Sequence, residues 1–153
     1  MLGKLVPATR LHAKSMAPKL REAEAREVFA ARGHGPEESL LFELNHSLIA
    51  WSWIVHGEVA CMFGIVKPDL LDDESYPWFL TTNLVEKHSR QFARACKMLL
   101  PELLHHHPRL IGRVDASYKL SVRWLIWLGA EIEEPAPWGI EGKLFHRFTL
   151  GSA

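Results

Sequence analysis

The stretch RLIGRVDASYKLSVRWLIWLG, residues 109–129, changes its hydrophobic period midway. Leu110 and Ile111 followed by Val114 suit a mostly buried strand over residues 109–115. From Lys119 onward Ser121, Trp124, Leu125 and Leu128 recur at helical spacing, and Gly129 supplies the stop that helices favour just past their last turn. A strand feeding a helix in this way is an α/β signature, and the rest of the chain can be read outward from it.

Upstream, a long helix is expected from about Leu84, with Phe92, Ala95, Cys96, Leu99 and Leu103 on one face. Pro101 is expected to kink or divide it and Pro108 to close it. A short strand over residues 78–82 precedes it, after a loop (67–77) that carries the acidic run Asp72-Asp73-Glu74. Before the loop, Ile49, Trp51, Trp53 and Val55 alternate with Ala50, Ser52 and Ile54. His56-Gly57-Glu58 then turns the chain into an apolar strand, residues 59–66, which makes a β-hairpin. That second strand is apolar on both faces, so both sides of the sheet should be covered, and Gly64 marks a bulge or a close backbone approach.

The first third reads as a short strand over residues 5–11, a helix capped by Ser15 and ending near Ala31 before Gly33, and a second helix opened by Pro36, Glu37 and Glu38. Downstream of Gly129, short strands near 130–133 and 143–150 are joined by a loop containing Pro135, Pro137, Gly139 and Gly142. The order is β-α-α-β-β-β-α-β-α-β-β. The expected fold is an α/β sandwich, with a mixed sheet of about seven strands and helices on both faces, over residues 1–153 as a single domain.

The chain has 153 residues, of which 48% are hydrophobic, enough for a sizeable core. Eighteen basic residues balance eighteen acidic ones, so no global positive field exists for nucleic acid or a membrane surface, and neither is expected as a partner. The two cysteines, Cys61 and Cys96, fall in a strand and a helix and read as reduced thiols, which fits a host-cytoplasm or virion setting better than secretion. Pro7 and Arg10 interrupt the start where a signal peptide needs an apolar run, and no segment reaches membrane-spanning length.

The element order, together with Val114 to Gly129 and its Leu128-Gly129 ending, resembles the GCN5-related N-acetyltransferase (GNAT) fold. The closing stretches, 124–130, Pro137-Trp138-Gly139-Ile140-Glu141-Gly142 and Phe145-His146-Arg147-Phe148, resemble GNAT-like proteins of tailed phages and prophages, some of them internal virion proteins. The resemblance spans residues 40–150. It implies a cleft where the fourth and fifth strands splay apart, and there an amine would attack the thioester of acetyl-CoA.

Such chemistry needs backbone N–H groups for the pyrophosphate, a base for the amine and an acid for the departing thiolate. Where the family carries a glycine-rich turn, this chain reads Thr82-Asn83-Leu84-Val85-Glu86-Lys87-His88-Ser89-Arg90, without glycine. Thr82, Asn83, Lys87, His88 and Arg90 are the cofactor-binding candidates there, the charged ones also serving as an ordinary solvated helix face. The family's thiolate acid, a tyrosine, falls at Leu125, which has no proton to give. Tyr118, at the position of a frequent asparagine, is the substitute candidate, and also an aromatic cap. Asp115 is the candidate base, with a helix-capping role beside Ser117 as its alternative.

Three consecutive histidines, His105 to His107, point in different directions on a helix, and Glu43 with His46 lacks a second copy of the pattern. No metal site is expected. Trp127 and Trp138 could form a contact surface. Two readings follow: a phage-type GNAT-like protein with eroded acetyl-CoA chemistry that acts through other protein chains, including virion proteins, and an active N-acetyltransferase with an atypical cofactor loop.

Overall fold

The computed structural model describes residues 3–151; the outermost residues of the expected 1–153 span, 1–2 and 152–153, lie outside the described ones. The elements in chain order are β1 (Lys4–Pro7), α1 (Arg10–Met16), a single 3-10 turn (Ala17–Lys19), α2 (Glu22–Arg32), α3 (Pro36–His46), β2 (Ile49–Val55), β3 (Glu58–Val66) and β4 (Glu74–Thr81). They continue with α4 (Leu84–Lys87), α5 (Ser89–His106), β5 (Arg109–Asp115), α6 (Lys119–Trp127), β6 (Glu131–Ile132), β7 (Ala136–Trp138) and β8 (Lys143–Gly151). All eight strands join one sheet ordered β1-β2-β3-β4-β5-β8-β6, with β7 also on β8. This is the expected GNAT-like topology, with one more strand than expected.

Several boundaries differ from the sequence reading, each for a local reason. The first strand stops at Pro7 because Thr9 caps a helix: Thr9 and His12 exchange side-chain-to-backbone bonds in a capping box, so Ser15 lies inside α1 rather than ahead of it. Pro18 sits in the 3-10 turn that splits the expected long helix into α1 and α2. Likewise the helix expected from Leu84 breaks at His88 (φ −119°, ψ 38°) into α4 and α5. Pro101 does not divide α5, which continues through it. The fourth strand starts at Glu74, inside the expected loop. The hairpin turn uses His56 (φ 50°) and Gly57 (φ 77°), the paired left-handed conformation that matches strand twist.

Both faces of the sheet are covered. On one face Ala13, Met16 and Leu40 from α1 and α3 pack with Val59, Met62 and Leu80 of β3 and β4, with Val28 of α2 against them. On the other, Ile65, Leu110, Val114 and Phe148 pack under Leu125 of α6, with Leu100 and Leu103 of α5 against them. Gly64 marks a close approach: an added Cβ would lie 2.7 Å from both the Ile49 carbonyl oxygen and the Trp78 Nε1. The ladder irregularity lies elsewhere, between Trp53 and Ile54. Among the described residues no helix is long and apolar enough to cross a membrane.

The parallel pair β4 and β5 shares only the positions Glu74–Arg109 and Ser75–Leu110, then separates. Thr82 N–H bonds to Ala60 on β3, so by alternation Ser75, Pro77, Phe79 and Thr81 turn their backbone groups toward β5. Pro77 is the next position after Ser75 on that edge and has no N–H to donate, which ends the ladder and opens the V. The Arg109–Glu74 ion pair, 3.3 Å, holds the apex.

Candidate functional site: the splay between β4 and β5

The top of the V is bridged by α2. Glu24 Oε1 accepts from the Thr81 N–H at 2.9 Å, and its Oε2 accepts from the Thr81 hydroxyl. Glu27 Oε2 accepts from the Asp115 N–H at 2.9 Å. The Arg21 N–H donates to the Thr81 carbonyl at 3.1 Å. Two carboxylates, one helical turn apart, therefore cap the last cleft-facing amides of the two diverging strands. Both are drawn into the interior because Val28 and Ala31 follow them at four-residue spacing, which puts all four on one face of α2.

Burial of the Glu24 side chain removes its hydration and pushes its pKa up to about 7, against the opposing pull of the Thr81 bonds and of Arg21. Glu27 is likewise pushed up to about 7 by burial; the Asp115 N–H works against this, and the negative charges of Glu24 and Asp115 add to it. Arg21 is a weak counterion for Glu24, with its Nε 3.9 Å from Oε2, because its Nη2 is held at 2.6 Å by Glu86. The Arg21 guanidinium lies 5.9 Å from the Tyr118 ring centroid. Tyr118 itself is half-buried, and burial, then the charge of Glu24, push its phenol up to about 12.

A continuous space of about 1700 Å³, open to solvent, runs through much of the fold and includes the splay, where Glu24, Glu27 and Tyr118 line it together with Phe92, Leu99 and Trp124. The ring centroids of Phe79, Phe92 and Trp124 are mutually 5.3–5.9 Å apart and form an aromatic wall across it. No residue of α5 is fully buried, because its apolar face looks into this space.

Each candidate from the sequence can now be placed. Asp115 is buried, and its Oδ1 accepts from the Ser117 N–H at 2.9 Å and the Ser117 hydroxyl at 2.8 Å, so it brings its N–H to the V while its carboxylate closes a local turn. Tyr118 follows as the residue ahead of α6. Thr82 is buried and tied down, its hydroxyl donating to the Ala60 carbonyl at 2.9 Å and accepting from the Leu84 N–H at 3.3 Å. Asn83, Lys87 and Arg90 are exposed. His88 is half-buried at the break between α4 and α5, its ring 5.9 Å from that of His56. The amides of Val85 and Glu86 are taken by the Thr82 and Asn83 carbonyls, each at 3.1 Å. Leu125 is buried in the core. The structure thus gathers Asp115 and Tyr118 at the V and leaves the cofactor candidates along α4 and the start of α5.

Glu24 and Glu27 escaped the sequence reading because acidic residues in the first turns of a helix look like ordinary partners of its dipole. The available signal was their register with Val28 and Ala31. Trp127 is 48% exposed, with Lys97 Nζ 4.4 Å from its ring centroid. Trp138 instead packs edge-on to Phe145 at 5.0 Å under the Arg113 guanidinium.

Solved acetyltransferase structures share this architecture. The chain is similar to a chimera of the Vibrio cholerae spermidine N-acetyltransferase SpeG with hSSAT, at 9% identity and a TM-score of 0.73 over 98% of this chain and 95% of that one. It is similar to the ribosomal-protein-S18-alanine N-acetyltransferase from Escherichia coli, at 12% identity and a TM-score of 0.68 over 99% of this chain and 96% of that one. An acetyltransferase of the GNAT family from Bacillus anthracis matches with 8% identity and a TM-score of 0.66, over 97% and 93% of the two chains. These likenesses establish a GNAT acetyltransferase-like fold. No family model matches the sequence, and no curated protein does.

Proposed function

We propose that this chain is a phage- or prophage-type GNAT-fold protein that works through contacts with other protein chains, as a virion component, with its acetyl-CoA chemistry eroded. The observation that carries the reading is the capping of Thr81 and Asp115 by Glu24 and Glu27. An extended acyl-pantetheine lying in the V would need such backbone groups, and they are already satisfied from within. The turn that would receive the pyrophosphate also spends the Val85 and Glu86 amides on itself and adds the carboxylate of Glu86. Leu125, where the family's thiolate acid falls, is core. The virion role rests on the resemblance of the closing stretches, and the exposed Leu120, Ile126 and Trp127 of α6 offer apolar surface for a partner.

A second reading, an active N-acetyltransferase, is favoured by the cavity itself and by carboxyls with pKa values raised to about 7, where a general base is effective. In that reading acetyl-CoA would be held by Thr82, Asn83, Lys87, His88 and Arg90, with Asp115 and Tyr118 serving the reaction beside Glu27. Calorimetric titration of acetyl-CoA at about pH 6 and about pH 8.5 separates the two. The protein-contact reading expects no heat at either pH and recovery of the chain with assembled particles. Micromolar binding, about −8 kcal/mol, overturns it and selects the enzyme.

A further inference from the structure

We infer that the outward face of α5 and α6 docks an acidic amphipathic helix of a partner protein. The inference rests on the protein-contact reading above and names the chemistry of the partner. Arg90, Arg94 and Lys97 of α5 follow one another at spacings of four and three, and Lys119 and Arg123 of α6 at a spacing of four, so each set forms a row on one helix face. All five residues are exposed. The two rows belong to one surface, because the Lys97 Nζ donates to the Trp127 carbonyl at 3.0 Å and lies 4.4 Å from the centroid of that ring. Leu120, 49% exposed, and Trp127 lie two turns apart on α6, with Arg123 between them on the same face.

Among the described residues none of the five cations pairs with a carboxylate; the ion pairs use other basic side chains. Glu102, more than a turn beyond Lys97, is the one acidic residue on either helix. Like charges gathered without counter-charges repel one another, and an acidic partner relieves them. The apolar pair narrows the kind of partner. Leu120 and Trp127 call for apolar side chains opposite them about two helical turns apart, and a helix with apolar residues at that spacing and Asp or Glu beside them supplies both features. A polynucleotide backbone carries no such apolar side chains, and a chain of zero net charge has no overall attraction to an anionic membrane.

Fluorescence anisotropy of a labelled synthetic peptide tests this. The probe is a helix of leucines at alternating spacings of three and four with glutamates beside them, and a second peptide holds the same residues in scrambled order. The patterned peptide should bind the whole chain in the micromolar range, at least about tenfold more tightly than the scrambled one. Arg94→Glu with Lys97→Glu, and separately Trp127→Ala, should each weaken it about tenfold or more. Arg26→Glu, a charge reversal on the exposed side of α2, should leave it unchanged. Absence of binding by the patterned peptide overturns the inference. So does equal affinity for the scrambled peptide, an equal loss with Arg26→Glu, or tighter binding of a poly-dT oligonucleotide or of phosphatidylglycerol vesicles. If the patterned peptide does not bind but the chain is recovered with assembled particles, the protein-contact reading stands through another face and this inference alone falls.

Discussion

Gly64 shows how a single position sets the packing around it. Its bare Cα lets the Trp78 indole pass over β3 and donate to the Ser47 hydroxyl at 2.7 Å. Gly64→Ala places a methyl 2.7 Å from the Ile49 carbonyl oxygen and the Trp78 nitrogen, so backbone or indole must shift. The expected loss is about 1–3 kcal/mol, read as a lower midpoint in urea with an unchanged slope. Glu24 and Glu27 teach the opposite lesson. Their residue types suggested solvent, whereas their neighbours one turn on placed them inside, and the consequence is chemical: two carboxyls that hold protons near neutrality.

Among the elements, α1 depends on its start. The helix has seven residues, too few to persist without tertiary contacts, and its first amides are met by the Thr9–His12 box. Thr9→Ala should cost about 1 kcal/mol in thermal or urea unfolding, and Thr9→Ser should restore most of it. The strands around the V were legible where hydrophobic pattern and turn chemistry agreed. Residues 109–115 and the hairpin at His56-Gly57 appear as expected for that reason. The split of α1 from α2 at Pro18, and of α4 from α5 at His88, was less visible because the helical periodicity runs across both breaks.

For the molecule as a whole, the buried carboxyls set a direction for stability against pH. Their folded pKa values, about 7, lie above the ordinary value of 4.5, so the folded state binds more protons than the unfolded one. Their contribution is therefore fully present below about pH 4.5 and is lost as pH rises through about 7. Urea melts at about pH 5 and about pH 8 should show the protein less stable at the higher pH by about 2–4 kcal/mol, allowing for the partial exposure of Glu27. Burial lowers the pKa of His107, which acts the other way, adding stability above its ordinary value and removing it as pH falls. Glu24→Gln combined with Glu27→Gln should flatten the carboxyl slope and leave that of His107. A stability profile rising steadily from pH 5 to pH 8 would refute this assignment.

Read alone, the amino-acid order determined the α/β class, the succession of elements and the resemblance to a GNAT fold. Those depend on local periodicity and on turn and cap residues such as Gly57, Gly129 and Pro36, whose effects act within a few positions. It also exposed the missing glycines at 82–90 and the leucine at 125. Tertiary structure decided what fills the cleft. Thr81 and Asp115 meet Glu24 and Glu27 across 57 and 88 residues of chain, and only the packing of α2 over a sheet opened by Pro77 brings them together. Desolvation at that junction depends on every neighbour at once, so the altered acidity of the pair belongs to the fold.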